Sequence, residues 1–139
     1  MNDAIKMSGR LLLFDKETYG GYTFPKDCKI TYPEKVLVIW EFRFNDPESV
    51  MGSGHVMRDE KGLVCEAEIT PSDVIVDILR EFDGELPIGG YYYGVKSQQK
   101  DGLRVFESGC LTCIGVTLSP VDEEYRMRVV KEKEKESED

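Results

Sequence analysis

From Leu63 to Ile69 the apolar side chains fall at every second position. Leu63, Cys65, Ala67 and Ile69 share one face, and Glu66 and Glu68 share the other. A period of two belongs to a β-strand with one buried and one wetted face, and much of the chain reads the same way. Gly9 to Phe14 is a compact apolar run suited to a buried strand. Lys35 to Phe44 opens apolar, then alternates, and carries the only tryptophan, Trp40, so it is the candidate for a central, largely buried strand. Asn45-Asp46-Pro47 breaks that run. Ser53 to Arg58 and Leu63 to Ile69 read as a hairpin around the polar Asp59-Glu60-Lys61-Gly62, and Tyr19-Gly20-Gly21-Tyr22 reads as a turn. Tyr91 to Ser97, Leu103 to Glu107, Cys110 to Leu118 and a last segment from Tyr125 to Val130 complete the strand set.

One segment departs from period two. Thr70 is placed to cap a helix, Pro71 suits the first helical position, and Asp73 sits near the positive helix end. Val74, Ile75, Ile78, Leu79 and Phe82 then form one stripe at helical spacing, expected to pack into the core. Asp83-Gly84 ends it. The expected fold class is β-rich α+β: a mostly antiparallel, barrel-like sheet of about six to eight strands with one well-defined helix, Pro71 to Phe82, and room for short extra helices.

A chain of 139 residues can bury one modest core, so one domain is expected over residues 1–130. Residues 131–139 read KEKEKESED, hold no apolar side chain, and read as a charged, solvated tail; the alternative is an acidic arm that docks on an assembly partner. The net charge of -9 repels phosphate backbones and argues against nucleic acid as a partner. No apolar run approaches the roughly 20 residues of a membrane span, and the opening Met1-Asn2-Asp3-Ala4-Ile5-Lys6 lacks the apolar core of a signal peptide. A cytoplasmic setting follows as the expectation, with the four cysteines as reduced thiols.

Few residues suggest chemistry. Cys110-Leu111-Thr112-Cys113 matches C-x-x-C, but it lies in a strand pattern, where residues three apart are expected on opposite faces. Buried structural thiols are the simpler reading, and a zinc site could draw further ligands only from Cys28, Cys65 and His55. His55 is the only histidine, and its place at a strand start suits a half-exposed strand residue. Neither Gly52-Ser53-Gly54 nor Gly89-Gly90 leads into a phosphate loop. In Tyr91-Tyr92-Tyr93, strand alternation sends Tyr91 and Tyr93 one way and Tyr92 the other, which reads as packing. No cofactor is implied.

Five pieces in order, spanning Ser8 to Val130, resemble the prohead protease family of tailed phages, whose fold is that of the herpesvirus maturation proteases. Ser8-Gly9 to Ile30 is similar to the family's opening strand and glycine-aspartate loop. Val36 to Asp46 resembles the strand that delivers the catalytic histidine, and Gly52 to Glu68 a hairpin with Asp59-Glu60-Lys61-Gly62-Leu63. Gly89 to Lys96 resembles the nucleophile strand, and Lys100 to Pro120 the closing hairpin. Asn45 stands where the family has histidine, Tyr92 where it has the nucleophilic serine, and Cys113 where a glutamate opens the last strand. An amide is no general base near neutral pH, and losing base or nucleophile costs on the order of 10⁶ in turnover.

The resemblance therefore implies a non-catalytic phage or prophage protein that binds during head assembly. Its partners would be capsid or scaffold proteins, with homo-oligomers a further option, in the host cytoplasm or the virion. It also implies that Asn45, Tyr92 and Cys113 meet in space, with the tyrosine ring filling the cleft. Two alternatives remain: a relocated thiol chemistry using Cys113 or Cys110 with His55, and a small-ligand module on a similar barrel.

Overall fold

A computed structural model describes residues 3–17 and 22–130. The tail at 131–139 and most of the expected turn at 19–22 lie outside the described residues. The elements are β1 (Ile5–Leu13), β2 (Tyr22–Thr23), β3 (Lys29–Thr31), β4 (Val36–Trp40), β5 (Val50–Arg58), β6 (Gly62–Ile69), α1 (Asp73–Glu81), β7 (Glu85–Lys100), β8 (Leu103–Val116) and β9 (Arg126–Val129).

Seven of the strands close into a barrel in the order β8-β4-β5-β6-β1-β9-β7, with β7 pairing back onto β8. All but one of the ladders around the ring are antiparallel. Along one edge of β8 the short strands β2, β3 and β4 dock parallel in succession, at Arg104–Val105, Ser108–Cys110 and Cys113–Val116. The fold is thus the expected β-rich barrel, with one α-helix among the described residues. The alternation in β6 holds: Leu63, Cys65, Ala67 and Ile69 are buried, while Glu66 and Glu68 are exposed. They join Met7, Leu11, Val36, Val38, Leu86, Ile88, Leu111, Ile114, Val116 and Met127 in one core.

Several boundaries differ from expectation, each for a local reason. The helix begins at Asp73, and its N-cap is Ser72, whose side chain accepts from the Ile75 N–H. Thr70, just past the end of β6, is tied back to β5 instead, its N–H donating to the Met51 carbonyl at 2.8 Å. Of the expected core stripe only Ile75 is fully buried; Val74 and Phe82 are 58% and 40% exposed, because the helix rests on the barrel along a narrow line. The two segments expected at 103–107 and 110–118 are one strand. Ser108 and Gly109 do not interrupt it, since β7 pairs with β8 at Ser108 and β3 pairs at both residues.

The Trp40 strand ends at Trp40, short of the expected Phe44, and Trp40 itself is only partly buried. Glu41 and Phe42 take φ of 48° and 54°, in the left-handed region that L-residues seldom enter. The chain turns sharply there, with the Arg43 N–H donating back to the Trp40 carbonyl at 3.1 Å. Both oxygens of Glu41 hold the turn: one accepts from Thr117 Oγ1 at 2.7 Å and the other from the Leu118 N–H at 3.0 Å.

Candidate functional site

Of the residues singled out in the sequence, Tyr91, Tyr92, Tyr93, Cys110 and Cys113 meet where β7 and β8 pair. Tyr91 opposes Cys113, Tyr92 opposes Leu111 and Tyr93 opposes Cys110. Two steps on β7 therefore match three on β8, and Thr112 is the extra residue of a β-bulge. Its hydroxyl donates to the Tyr91 carbonyl at 3.2 Å. The bulge resets which face each side chain of β8 takes. Leu111, fully buried, points into the barrel with Tyr92, whereas Cys113 shares the outer face with Tyr91 and with Leu37 of β4.

Two expectations change as a result. Cys110 and Cys113 do not point to opposite faces, because the extra residue brings both onto the outer face. Nor do Asn45, Tyr92 and Cys113 share one cleft. Asn45 is exposed in the loop after β4, and that loop lies over the outer face, where the Phe44 ring packs 4.7 Å from Tyr91. Cys113 belongs to that face. Tyr92 lies on the other side of the sheet, its ring 5.3 Å from Phe24 and 5.6 Å from Phe106. The tyrosine that meets the loop is Tyr91, one residue earlier in the chain.

The outer face has its own construction. Gly89 opposes Gly115 across the β7–β8 ladder. The left-handed turn lays the Phe42 ring on this pair, so close that a Cβ at Gly115 would stand 2.4 Å from the ring. Phe42 in turn packs 6.4 Å from Tyr91 and 6.3 Å from Phe44. Asp46 accepts from the Glu48 N–H at 3.0 Å and caps a 3₁₀ turn, Pro47–Ser49, that ends the loop. The result is an aromatic patch, with Phe44 56% and Tyr91 42% exposed beside a 47% exposed Leu37. The roles of Phe42, Phe44 and Tyr91 were missed in the sequence. The paired glycines were the available signal, since two facing residues without side chains leave room for a ring.

The titratable groups here are poorly suited to nucleophilic work. Burial pushes the Cys113 thiol up to about 11 and the Cys65 thiol up to about 12, and the thiolate is the reactive form. Burial also pushes the Tyr92 phenol well above its ordinary range. His55 pairs across the ladder with Glu66, Nε2 to Oε1 at 3.2 Å. It sits on β5, and β4 separates that strand from β8. Two interstrand spacings of about 4.8 Å each therefore stand between His55 and Cys113. Among the described residues, no group of three or more His, Cys, Asp and Glu is placed to hold a metal, and no helix is long and apolar enough to cross a membrane.

No protein-family model, curated protein or solved structure matches this chain.

Proposed function

We propose that this protein is a non-catalytic barrel, related to the prohead proteases, that acts by binding a protein partner during phage head assembly. The observation that carries this reading is the outer face of β7 and β8. In the reading by resemblance, the loop after β4, the middle of β7 and the part of β8 at Cys113 supply base, nucleophile and third residue. Here the same three segments converge, and they bring an aromatic patch of Phe42, Phe44 and Tyr91 over a buried thiol. Exposed aromatic side chains held by a fixed turn make good anchors for a protein surface, because they bury much area for little lost freedom.

A relocated thiol chemistry has less support. A Cys-His pair needs hydrogen-bond reach of roughly 3 Å, and His55 is turned to Glu66 with a whole strand between it and Cys113. The test has two arms. The purified protein should take no label from a fluorophosphonate probe and should not cleave the capsid or scaffold protein of a tailed phage. It should bind one of those two proteins, and the double variant Phe44→Ser, Tyr91→Ser should lose at least tenfold in affinity while keeping its fold. Cleavage that vanishes in His55→Ala would overturn the proposal, as would binding indifferent to the patch.

A further inference from the structure

Beside the same ladder lies a cavity of about 300 Å³, lined by Leu11, Phe24, Phe42, Tyr92, Phe106 and Tyr125 and by the loop from Ser119 to Val121. Its wall is apolar apart from a few groups. One of these is unusual: the Tyr92 hydroxyl is buried and has no hydrogen-bond partner among the described residues. The neighbouring phenol is not in this position, since Tyr125 Oη accepts from the Leu13 N–H at 3.1 Å. A buried donor without a partner costs on the order of 1–3 kcal/mol and is rare in native proteins. A sheet that needed only to fill this space could have used phenylalanine, as it does at Phe24 and Phe106.

Gly90 makes room for the Tyr92 ring, since a Cβ there would come within 3.0 Å of the Tyr92 oxygen and 2.7 Å of Leu111. The loop that forms one wall is anchored at both ends. Thr117 is tied to Glu41, its Oγ1 also accepts from the Ser119 N–H at 3.1 Å, and the buried Asp122 carboxylate lies 2.9 Å from Lys16 Nζ. The wall is thus held from two directions.

We infer that this cavity binds a compact, uncharged, ring-bearing small molecule with one hydrogen-bond acceptor, which takes the proton of Tyr92. The volume sets the size, because ligand pockets run from roughly 300 to 1,000 Å³ and this one is at the small end. The aromatic rings at Phe24, Tyr92 and Phe106 set the shape, since they offer faces and edges to another ring. No charged side chain lines the space, and burial keeps the phenol protonated, so Tyr92 enters as a donor. An ionic ligand would lose its hydration with nothing to replace it. This inference does not rest on the partner proposed above, although Phe42 belongs both to the cavity wall and to the outer patch.

Acetophenone and isopropylbenzene are suitable probes, being similar in size while only the first carries an acceptor. Titrated into the full-length protein and followed by backbone amide NMR, both should shift resonances around Gly90, Phe106 and Val121. Acetophenone should bind about five- to tenfold more tightly, the effect of one hydrogen bond to a buried donor. Tyr92→Phe keeps the ring and should fold at least as well; in it the preference for acetophenone should disappear while isopropylbenzene binds as before. A folded wild type that binds neither probe at millimolar concentration would refute the site. Equal binding of the two probes, or a preference that survives Tyr92→Phe, would refute the role of Tyr92.

Discussion

The two faces of the β7–β8 ladder carry the same kinds of residue and use them in opposite ways. Inside the barrel, Tyr92 is packed between Phe24 and Phe106 with its hydroxyl unpaired. Outside, Tyr91 and Tyr93 are 42% and 69% exposed, and the buried group is the thiol of Cys113. The polar atom is hidden on one face and the apolar rings are wet on the other. Successive residues of one strand can differ this much because alternation assigns them to different solvents. A single inserted residue, Thr112, decides which residues of β8 go where.

The strongest way to break this comparison is to shorten β8 by its inward residue. Deleting Leu111 leaves a regular ladder in which Thr112 faces Tyr92, with a hydroxyl in place of a fully buried leucine. We expect a loss on the order of 4 kcal/mol or more, measured by urea unfolding. Deleting Thr112 instead keeps Leu111 inward and Cys113 outward and should cost far less; equal losses would show that the two faces do not differ in this way. Next comes truncation on each face. Leu111→Ala, at a fully buried position, should cost about 2–5 kcal/mol. Leu37→Ala, at a 47% exposed one, should cost well under about 1 kcal/mol. Equal losses would mean that the outer face is covered in solution, for instance by a second copy.

Thiol chemistry sharpens the contrast further. Raising the Cys113 thiol from the ordinary 9.0 to about 11 lowers its thiolate fraction about 100-fold at neutral pH. Iodoacetamide at pH 8 should therefore modify Cys113 at least tenfold more slowly than a cysteine in an unfolded peptide, as read by mass spectrometry of digests. Fast labelling of Cys113 would revive the relocated chemistry.

The smallest effect concerns the wet side alone. Asp59 takes both guanidinium nitrogens of Arg10, at 2.9 and 3.0 Å, and accepts from the Lys61 and Gly62 N–H groups. The Arg10 hydrogen bonds above all hold its carboxyl at about 2, below the ordinary 3.8. A carboxylate depressed in this way stabilises the fold above its unfolded value and loses that contribution as pH falls toward its folded one. The side chain is 41% exposed, so screening limits the contribution to no more than about 1 kcal/mol. The stability gap between parent and Asp59→Asn should be present at pH 7 and close between about pH 4 and 2. A gap unchanged at pH 2 would place its origin in the turn geometry alone.

How much of this was legible in the sequence depended on whether a feature repeats. The alternation in Leu63 to Ile69 and the helical stripe after Pro71 recur over several residues, and both elements are present. The left-handed turn at Glu41 and Phe42 was not legible, because neither residue is one that favours positive φ. It exists because Glu41 finds Thr117 and Leu118, 76 and 77 residues away. The bulge at Thr112 was equally hidden, since it is defined by the partner strand and not by β8. Ser108-Gly109 was read as a break because polar and glycine residues often end strands; the strands on both sides overrode that preference. At the candidate site, Asn45, Tyr92 and Cys113 were expected in one cleft, and the faces they take were missed, since side-chain direction turns on a register that short motifs do not fix.

The seam between β1 and β9 has a consequence for how the molecule can be handled. Met7 opposes Val129, and the Val130 N–H donates to the Lys6 carbonyl at 2.9 Å. The first and last strands are neighbours, so the backbone traces almost a full circuit and returns to where it started. A short linker from the region of Val130 to that of Ile5 would complete the circle, and a cut at the exposed Glu60 would open it elsewhere. In the permuted chain the residues of the seam would be local and those of the β5–β6 hairpin distant. Folding speed follows the sequence separation of contacts, so comparing permuted and parent chains would show whether bringing β1 to β9 is the step that limits assembly of the barrel.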